Sequence, residues 1–120
     1  MLTKPLGTGI IVRARKYGHG TAEQFEMAVA SMKQLNEAAA LLIRGLPPGI
    51  VSACTDVTGF GLAGHATEMA RASGVRLRVR AADLPVLPGA LELSREFLPC
   101  GGRANLRAFT GFSPDASVPI

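Results

Sequence analysis

The sequence predicts an α/β (α+β) fold, because segments with helical periodicity alternate with short segments typical of strands. Apolar residues recur at steps of three and four over residues 21–44, the spacing of one helix face. A short apolar, partly β-branched segment follows at Ile50–Thr55, and apolar residues alternate with arginines over Val75–Arg80. The 120 residues fit one domain, and an apolar fraction of 48% suffices for a folded core.

The first half of the chain is expected to hold one long helix. Residues 1–10 predict a strand end and a turn, since their proline and glycines oppose a regular helix. The helix then begins at its N-cap, Thr21, and ends at about Arg44 before a run of Gly and Pro.

The second half is expected to alternate strands and helices. Ile50–Thr55 is interpreted as a buried strand, and residues 56–61 as the turn into a helix. The elements expected after this turn are a helix over Leu62–Arg71 capped by Gly74, a strand over Val75–Arg80, a helix over Gly89–Phe97, a turn at Gly101–Gly102 and an irregular tail over 109–120.

The net charge of +4 raises the question of a nucleic-acid partner. Only four arginines cluster, and no aromatic residues interleave with them to stack on bases, so we expect no nucleic-acid partner. The cluster favours a solvated strand face or an anionic small ligand instead; it consists of Arg71, Arg76, Arg78 and Arg80.

The two cysteines are expected to be free thiols. The sequence has no signal-peptide pattern and no apolar run of transmembrane length, which predicts a cytoplasmic location and no membrane partner. Cys54 is expected to be a buried small hydrophobe, and Cys100 to be exposed in a turn.

The candidate site is the segment Ala53–Gly61, which places a carboxylate at the end of a predicted strand and before a helix. Asp56 is suited to hold Mg²⁺, a hard cation that also binds phosphate oxygens. Thr58, Gly59 and Gly61 are candidate phosphate or nucleotide contacts, because a helix N-terminus offers free N–H groups to an anion. The alternative is that Asp56 only caps the following helix.

Two polar residues outside this segment, Lys4 and His65, also bear on the site. Lys4 lies in a glycine-containing turn with two threonines and is a candidate phosphate contact, although the segment lacks P-loop spacing and is also consistent with a plain tight turn. His65 has no zinc-site spacing around it and is expected to make a structural hydrogen bond on a helix face.

Several phrases together resemble one family, the selenophosphate synthetases. They occur in the family's order and extend weakly to Asn105; they are Leu2–Gly9, Met32–Asn36, Ala53–His65 and Leu84–Ala90. The family belongs to the superfamily of aminoimidazole ribonucleotide synthetase, and this chain resembles its carboxy-terminal domain. The resemblance implies a mixed sheet packed with helices.

The resemblance also implies an activity. The complete enzymes use ATP, Mg²⁺, selenide and water to make selenophosphate, AMP and phosphate. Asp56 matches the carboxy-terminal aspartate that binds magnesium in the family, and the full-length protein is expected to be a homodimer.

The same resemblance implies that this chain is incomplete. The amino-terminal domain, with its reactive cysteine or selenocysteine and essential lysine, has no counterpart here, so the chain alone is expected to be inactive and to contain no catalytic residue. Residues 1–14 correspond to the end of an interdomain segment, 15–108 to an incomplete carboxy-terminal domain and 109–120 to a tail. The alternatives are a noncatalytic remnant or interaction module, or the corresponding domain of a related ATP-dependent enzyme.

Overall fold

The computed structural model describes residues 2–108, and its regular elements are helical. In this range no helix has the length and hydropathy required to cross a membrane. The tail predicted at 109–120 lies outside the described residues. The described helices are α1 (Thr8–Lys16), α2 (Ala22–Lys33), α3 (Glu37–Gly45), α4 (Gly61–Ser73), a short 3₁₀ helix (Ala81–Asp83), α5 (Ala90–Phe97) and α6 (Cys100–Ala108).

The chain divides into two units. The first contains the described residues up to Leu46 together with Asp83–Pro99, and the second contains Pro47–Ala82 together with the described residues from Cys100 onward. In the first unit α1 packs on α2 and α5. The side chains of this small core are Ile11, Ala28, Leu87 and Ala90, with Val86 and Leu93 packed against them.

A parallel bridge joins the two chain segments of the first unit. Leu6 pairs with Val86: the Leu6 N–H donates to the Pro85 carbonyl at 2.8 Å, and the Leu87 N–H donates to the Leu6 carbonyl at 2.9 Å. The predicted strand end at the start of the chain is therefore present as one bridge, and it holds the segment before α1 against the segment before α5.

The helix predicted over residues 21–44 is two helices, so that prediction is wrong in its middle. Its start is confirmed: the Gln24 N–H donates to Thr21 Oγ1 at 3.1 Å, and the Thr21 N–H donates to Gln24 Oε1 at 2.9 Å, which forms a capping box. The helix ends because Gln34 adopts an extended backbone, with ψ of 121°, and the Lys4 ammonium donates to its carbonyl. A cation at a helix C-terminus satisfies a carbonyl that has no helical partner.

Helix α1 begins within the segment for which the glycines predict a turn, so that prediction is wrong from Thr8 onward. Gly7 is its N-cap, with φ of +113°, and Gly9 lies inside its first turn. A Cβ atom on Gly7 would lie 2.5 Å from the Ala90 Cβ atom, so α1 and α5 approach each other closely at a residue without a side chain. The glycine pattern therefore marks a helix start and a close contact.

The two predicted strands are not formed among residues 2–108, where the only β pairing is the isolated bridge. A strand needs a neighbouring strand to satisfy its backbone groups, and here neither Ile50–Thr55 nor Val75–Arg80 has one. Cys54 is exposed, which corrects the expectation that it is buried, whereas Cys100 is exposed as expected, and neither forms a disulfide within the described residues. The apolar side chains exposed in these segments are Ile50, Val51, Val75, Leu77 and Val79.

The second unit pairs α4 with α6. Helix α4 and its cap are confirmed, since Gly74 has φ of +63° and its N–H donates to the Arg71 carbonyl at 3.2 Å. The predicted helix at residues 89–97 is also confirmed by α5 of the first unit. The turn predicted at Gly101–Gly102 is wrong, because both glycines lie in the first turn of α6.

The close approach at Gly7 predicts a difference between two glycine substitutions. Gly18 also has a left-handed backbone, with φ of +80°, but a Cβ atom there would meet nothing within 4 Å. We expect Gly18→Ala to lower the free energy of unfolding by about 1 kcal/mol, and Gly7→Ala by about 2 to 4 kcal/mol because of the added overlap with Ala90. Urea unfolding followed by circular dichroism measures both; equal losses would contradict the packing argument.

Candidate functional site

The candidate site is the turn of residues 55–61, which leads into α4 in the second unit. The Gly61 N–H donates to the Thr58 carbonyl at 2.9 Å, and the Gly64 N–H donates to the Phe60 carbonyl at 3.3 Å. Gly61 has φ of +64°, a left-handed conformation that favours glycine at the first residue of α4. The predicted turn into a helix is therefore confirmed, although the strand predicted before it is not formed.

Asp56 lies on the exposed side of this turn. Its carboxylate makes no hydrogen bond or ion pair within the described residues; only its carbonyl accepts one, from Thr55 Oγ1 at 3.4 Å. The N-cap of α4 is Phe60, and no side chain of the N-cap residue satisfies the first N–H groups. The alternative that Asp56 caps this helix is therefore wrong, and the carboxylate is available to an external group.

Thr58, two residues after Asp56, is held by a histidine of α4. Its Oγ1 atom lies 3.1 Å from Nε2 of His65, a residue that is only 8% exposed. The other ring nitrogen, Nδ1, lies 3.5 Å from a carboxylate oxygen of Glu68, and the Phe60 ring packs beside the imidazole at 5.7 Å between centroids. His65 thus has a polar partner at each nitrogen and an aromatic ring at its side.

Helix α6 holds the same turn from another direction. Asn105 Nδ2 donates to the Gly59 carbonyl at 3.3 Å, although the two residues are 46 positions apart in the sequence. A Cβ atom on Gly101 would lie 3.1 Å from the same carbonyl oxygen, so the start of α6 can approach the turn because Gly101 has no side chain. The close approach gives Gly101 a packing role inside this helix.

The residues predicted for the site belong to two different units. Asp56, Thr58, Gly59 and Gly61 share the turn, whereas Lys4 belongs to the first unit, where its ammonium donates to the Gln34 carbonyl at the end of α2. The described contact of Lys4 is therefore structural, and a phosphate contact by this residue stays a prediction.

Sequence reasoning assigned His65 only a structural hydrogen bond and did not consider Glu68 or Asn105 as parts of the site. His65 does make a hydrogen bond, but its partner is a candidate site residue. The sequence contains one signal for Glu68: it follows His65 by three positions, and residues three apart on a helix lie on one face and can interact. Asn105 has no local signal, since its contact depends on how α6 packs against the turn.

A complete metal cage is not present in the described residues, where no three His, Cys, Asp or Glu side chains are grouped. Asp56 nevertheless fits the chemistry of Mg²⁺, because it offers an exposed carboxylate that has no partner in the described part of the chain. The Gly61 N–H is already bonded to the Thr58 carbonyl, but no side chain of the N-cap residue covers the N–H groups that follow it in α4, and such groups suit an anion bound together with the cation.

Comparison with known proteins assigns the class of domain. The chain belongs to the family described as AIR synthase related protein, C-terminal domain, whose sequence model matches residues 1–99. A mixed sheet is not among the features that this match or the described residues establish.

Within this class, the chain is similar to proteins named selenide, water dikinase. It is 44% identical over 120 residues to the Pelobacter propionicus protein, and this match covers 100% of the chain and 34% of the relative. It is 49% identical over 92 residues to the Trichlorobacter lovleyi protein, covering 77% of this chain and 26% of the relative. A Porphyromonas gingivalis protein is 43% identical over 120 residues, covering 99% of this chain and 33% of the relative.

These similarities confirm the resemblance found in the sequence motifs. The chain spans about a third of the length of these curated relatives. The activity that their names describe therefore belongs to proteins that are about three times as long as this chain.

The contact between α6 and the turn predicts a local effect of Asn105→Ala. Loss of one hydrogen bond worth about 1 kcal/mol should increase the fraction of molecules in which the turn is open. We therefore expect the Gly61 amide to exchange with solvent roughly fivefold faster. Arg103→Ala, at an exposed position on the same helix, is the matched control and should leave that rate unchanged. Hydrogen exchange followed by NMR measures both, and no difference between them would show that Asn105 does not hold the turn.

Proposed function

We propose that this chain supplies the magnesium-binding and phosphate-facing turn of a selenophosphate synthetase. The observation that carries the proposal is the unpartnered Asp56 carboxylate, exposed on a turn that α4 and α6 hold in place. Its support from comparison is the similarity to relatives named selenide, water dikinase along the whole chain.

In the complete protein, ATP and selenide are the proposed substrates, and selenophosphate, AMP and phosphate the proposed products. Bound Mg²⁺ would neutralise charge on the phosphates during transfer. Asp56 would bind that cation, while Thr58 and the backbone at Gly59 and Gly61 would face the phosphates. The nucleophile and the remaining metal ligands would come from outside this chain.

The finer architecture is part of the same proposal. Ile50–Thr55 and Val75–Arg80 are rich in residues that favour strands, and their apolar side chains are exposed here. We propose that they become strands of a mixed sheet when the rest of the protein covers them. A homodimeric assembly and a cytoplasmic location are proposed on the resemblance alone.

A chimeric enzyme tests this function. The third of the Pelobacter propionicus protein that matches this chain is replaced by residues 1–120, a substitution at 44% identity. We expect the chimera to form AMP from ATP only when selenide is present. A folded chimera without selenide-dependent AMP would contradict the proposal and favour a noncatalytic module.

The role of Asp56 is tested in the same chimera. Asp56→Asn keeps the size of the side chain but removes its charge, and we expect roughly a hundredfold loss of activity that added Mg²⁺ partly restores. Glu37→Gln, an exposed carboxylate in the first turn of α3, is the control and should retain the parent activity. If Asp56→Asn remains as active as this control, Asp56 is not a metal ligand.

A further inference from the structure

The histidine of α4 determines which way the Thr58 hydroxyl can donate. In a neutral imidazole one ring nitrogen carries the proton and the other accepts a hydrogen bond. Nδ1 of His65 faces a carboxylate oxygen of Glu68 at 3.5 Å, and a carboxylate can only accept. In the neutral ring this geometry favours the proton on Nδ1, which leaves Nε2 as an acceptor.

The consequence falls on Thr58, whose Oγ1 atom lies 3.1 Å from Nε2. A hydroxyl has a single proton and two lone pairs. Because Nε2 is the acceptor, the Thr58 proton points to His65, and the two lone pairs of the oxygen remain for other partners. Such an oxygen can accept from a water or approach a cation, but it has no proton to donate to a phosphate oxygen.

We propose that His65, oriented by Glu68, is a positioning residue that makes Thr58 an acceptor in the site. This inference rests on the proposed function, and it changes the part that Thr58 takes in it. Thr58 serves the cation bound near Asp56 or the water which that cation carries, and the phosphate is left to backbone N–H groups at the start of α4 other than that of Gly61, which the Thr58 carbonyl accepts. The low exposure of His65 and the Phe60 ring beside it keep the imidazole in one orientation.

The tautomer of His65 is the first test, and it needs no activity. In the full chain labelled with ¹⁵N, long-range proton–nitrogen NMR spectra report which ring nitrogen carries the proton. The chain has two histidines, so in the His19→Gln variant the only imidazole signals are those of His65. We expect a protonated Nδ1 and an unprotonated Nε2. A protonated Nε2 would overturn the inference, because Thr58 would then accept from His65 and keep its own proton for phosphate.

Two further variants test the cause of this tautomer. Glu68→Ala removes the acceptor of Nδ1 and should shift the proton population toward Nε2, whereas Glu92→Ala, a carboxylate on α5 of the other unit, should change nothing. An unchanged tautomer in Glu68→Ala would show that Glu68 does not orient His65, and would overturn that part of the inference.

The second test is made in the chimeric enzyme and measures the Mg²⁺ concentration for half-maximal activity. Thr58→Val and His65→Leu should each raise that concentration roughly tenfold. The double variant should need no more Mg²⁺ than either single variant, because both substitutions remove the same hydrogen bond between Thr58 and His65. His65→Gln retains an amide oxygen that can accept from Thr58 and should stay near the parent value.

A purely structural role for His65 gives a different result. His65→Leu would then lower the rate without changing the Mg²⁺ requirement, and its effect would multiply with that of Thr58→Val; this outcome would overturn the inference. Failure of the proposed function is separate, since it appears as a chimera with no selenide-dependent AMP or as a fully active Asp56→Asn, while the NMR result still reports on His65.

Discussion

The hydrogen bond between Thr58 and His65 is the constraint on which the candidate site depends. It ties the turn that carries Asp56 to the second turn of α4, and the bond from Asn105 ties the same turn to α6. The Asp56 carboxylate has no partner among residues 2–108, so its position there depends on the backbone that these contacts hold. The candidate site is therefore an exposed carboxylate on a turn whose position is held by contacts with α4 and α6.

The two units of the chain achieve close packing in a similar way. In the first, Gly7 lets α1 approach Ala90 of α5, and in the second, Gly101 lets α6 approach the Gly59 carbonyl. A side chain at either position would push a helix away from its neighbour. The core of the first unit is small, and the apolar residues of the two predicted strands are exposed.

The sequence predicted those features that depend on neighbouring residues. The capping box of Thr21 and the left-handed Gly74 have local signatures, and so does the turn after Asp56. The end of α2 instead involves a contact from Lys4, which is 30 positions away, and α6 packs closely against the turn at Gly101. The motif likewise predicts Asp56 as a candidate ligand. The contact of His65 with the same turn has no local signature, because it depends on how closely Nε2 of His65 and Oγ1 of Thr58 approach in space.

Paramagnetic broadening by Mn²⁺, used in place of Mg²⁺, tests most directly whether this turn binds a divalent cation. The measurement detects weak binding, which is what a single carboxylate provides. Amide signals of residues 56–61 in the full chain should broaden first, and Asp56→Asn should abolish the effect. Broadening centred on other carboxylates, or equal broadening in Asp56→Asn, would contradict the assignment of this turn as the cation site.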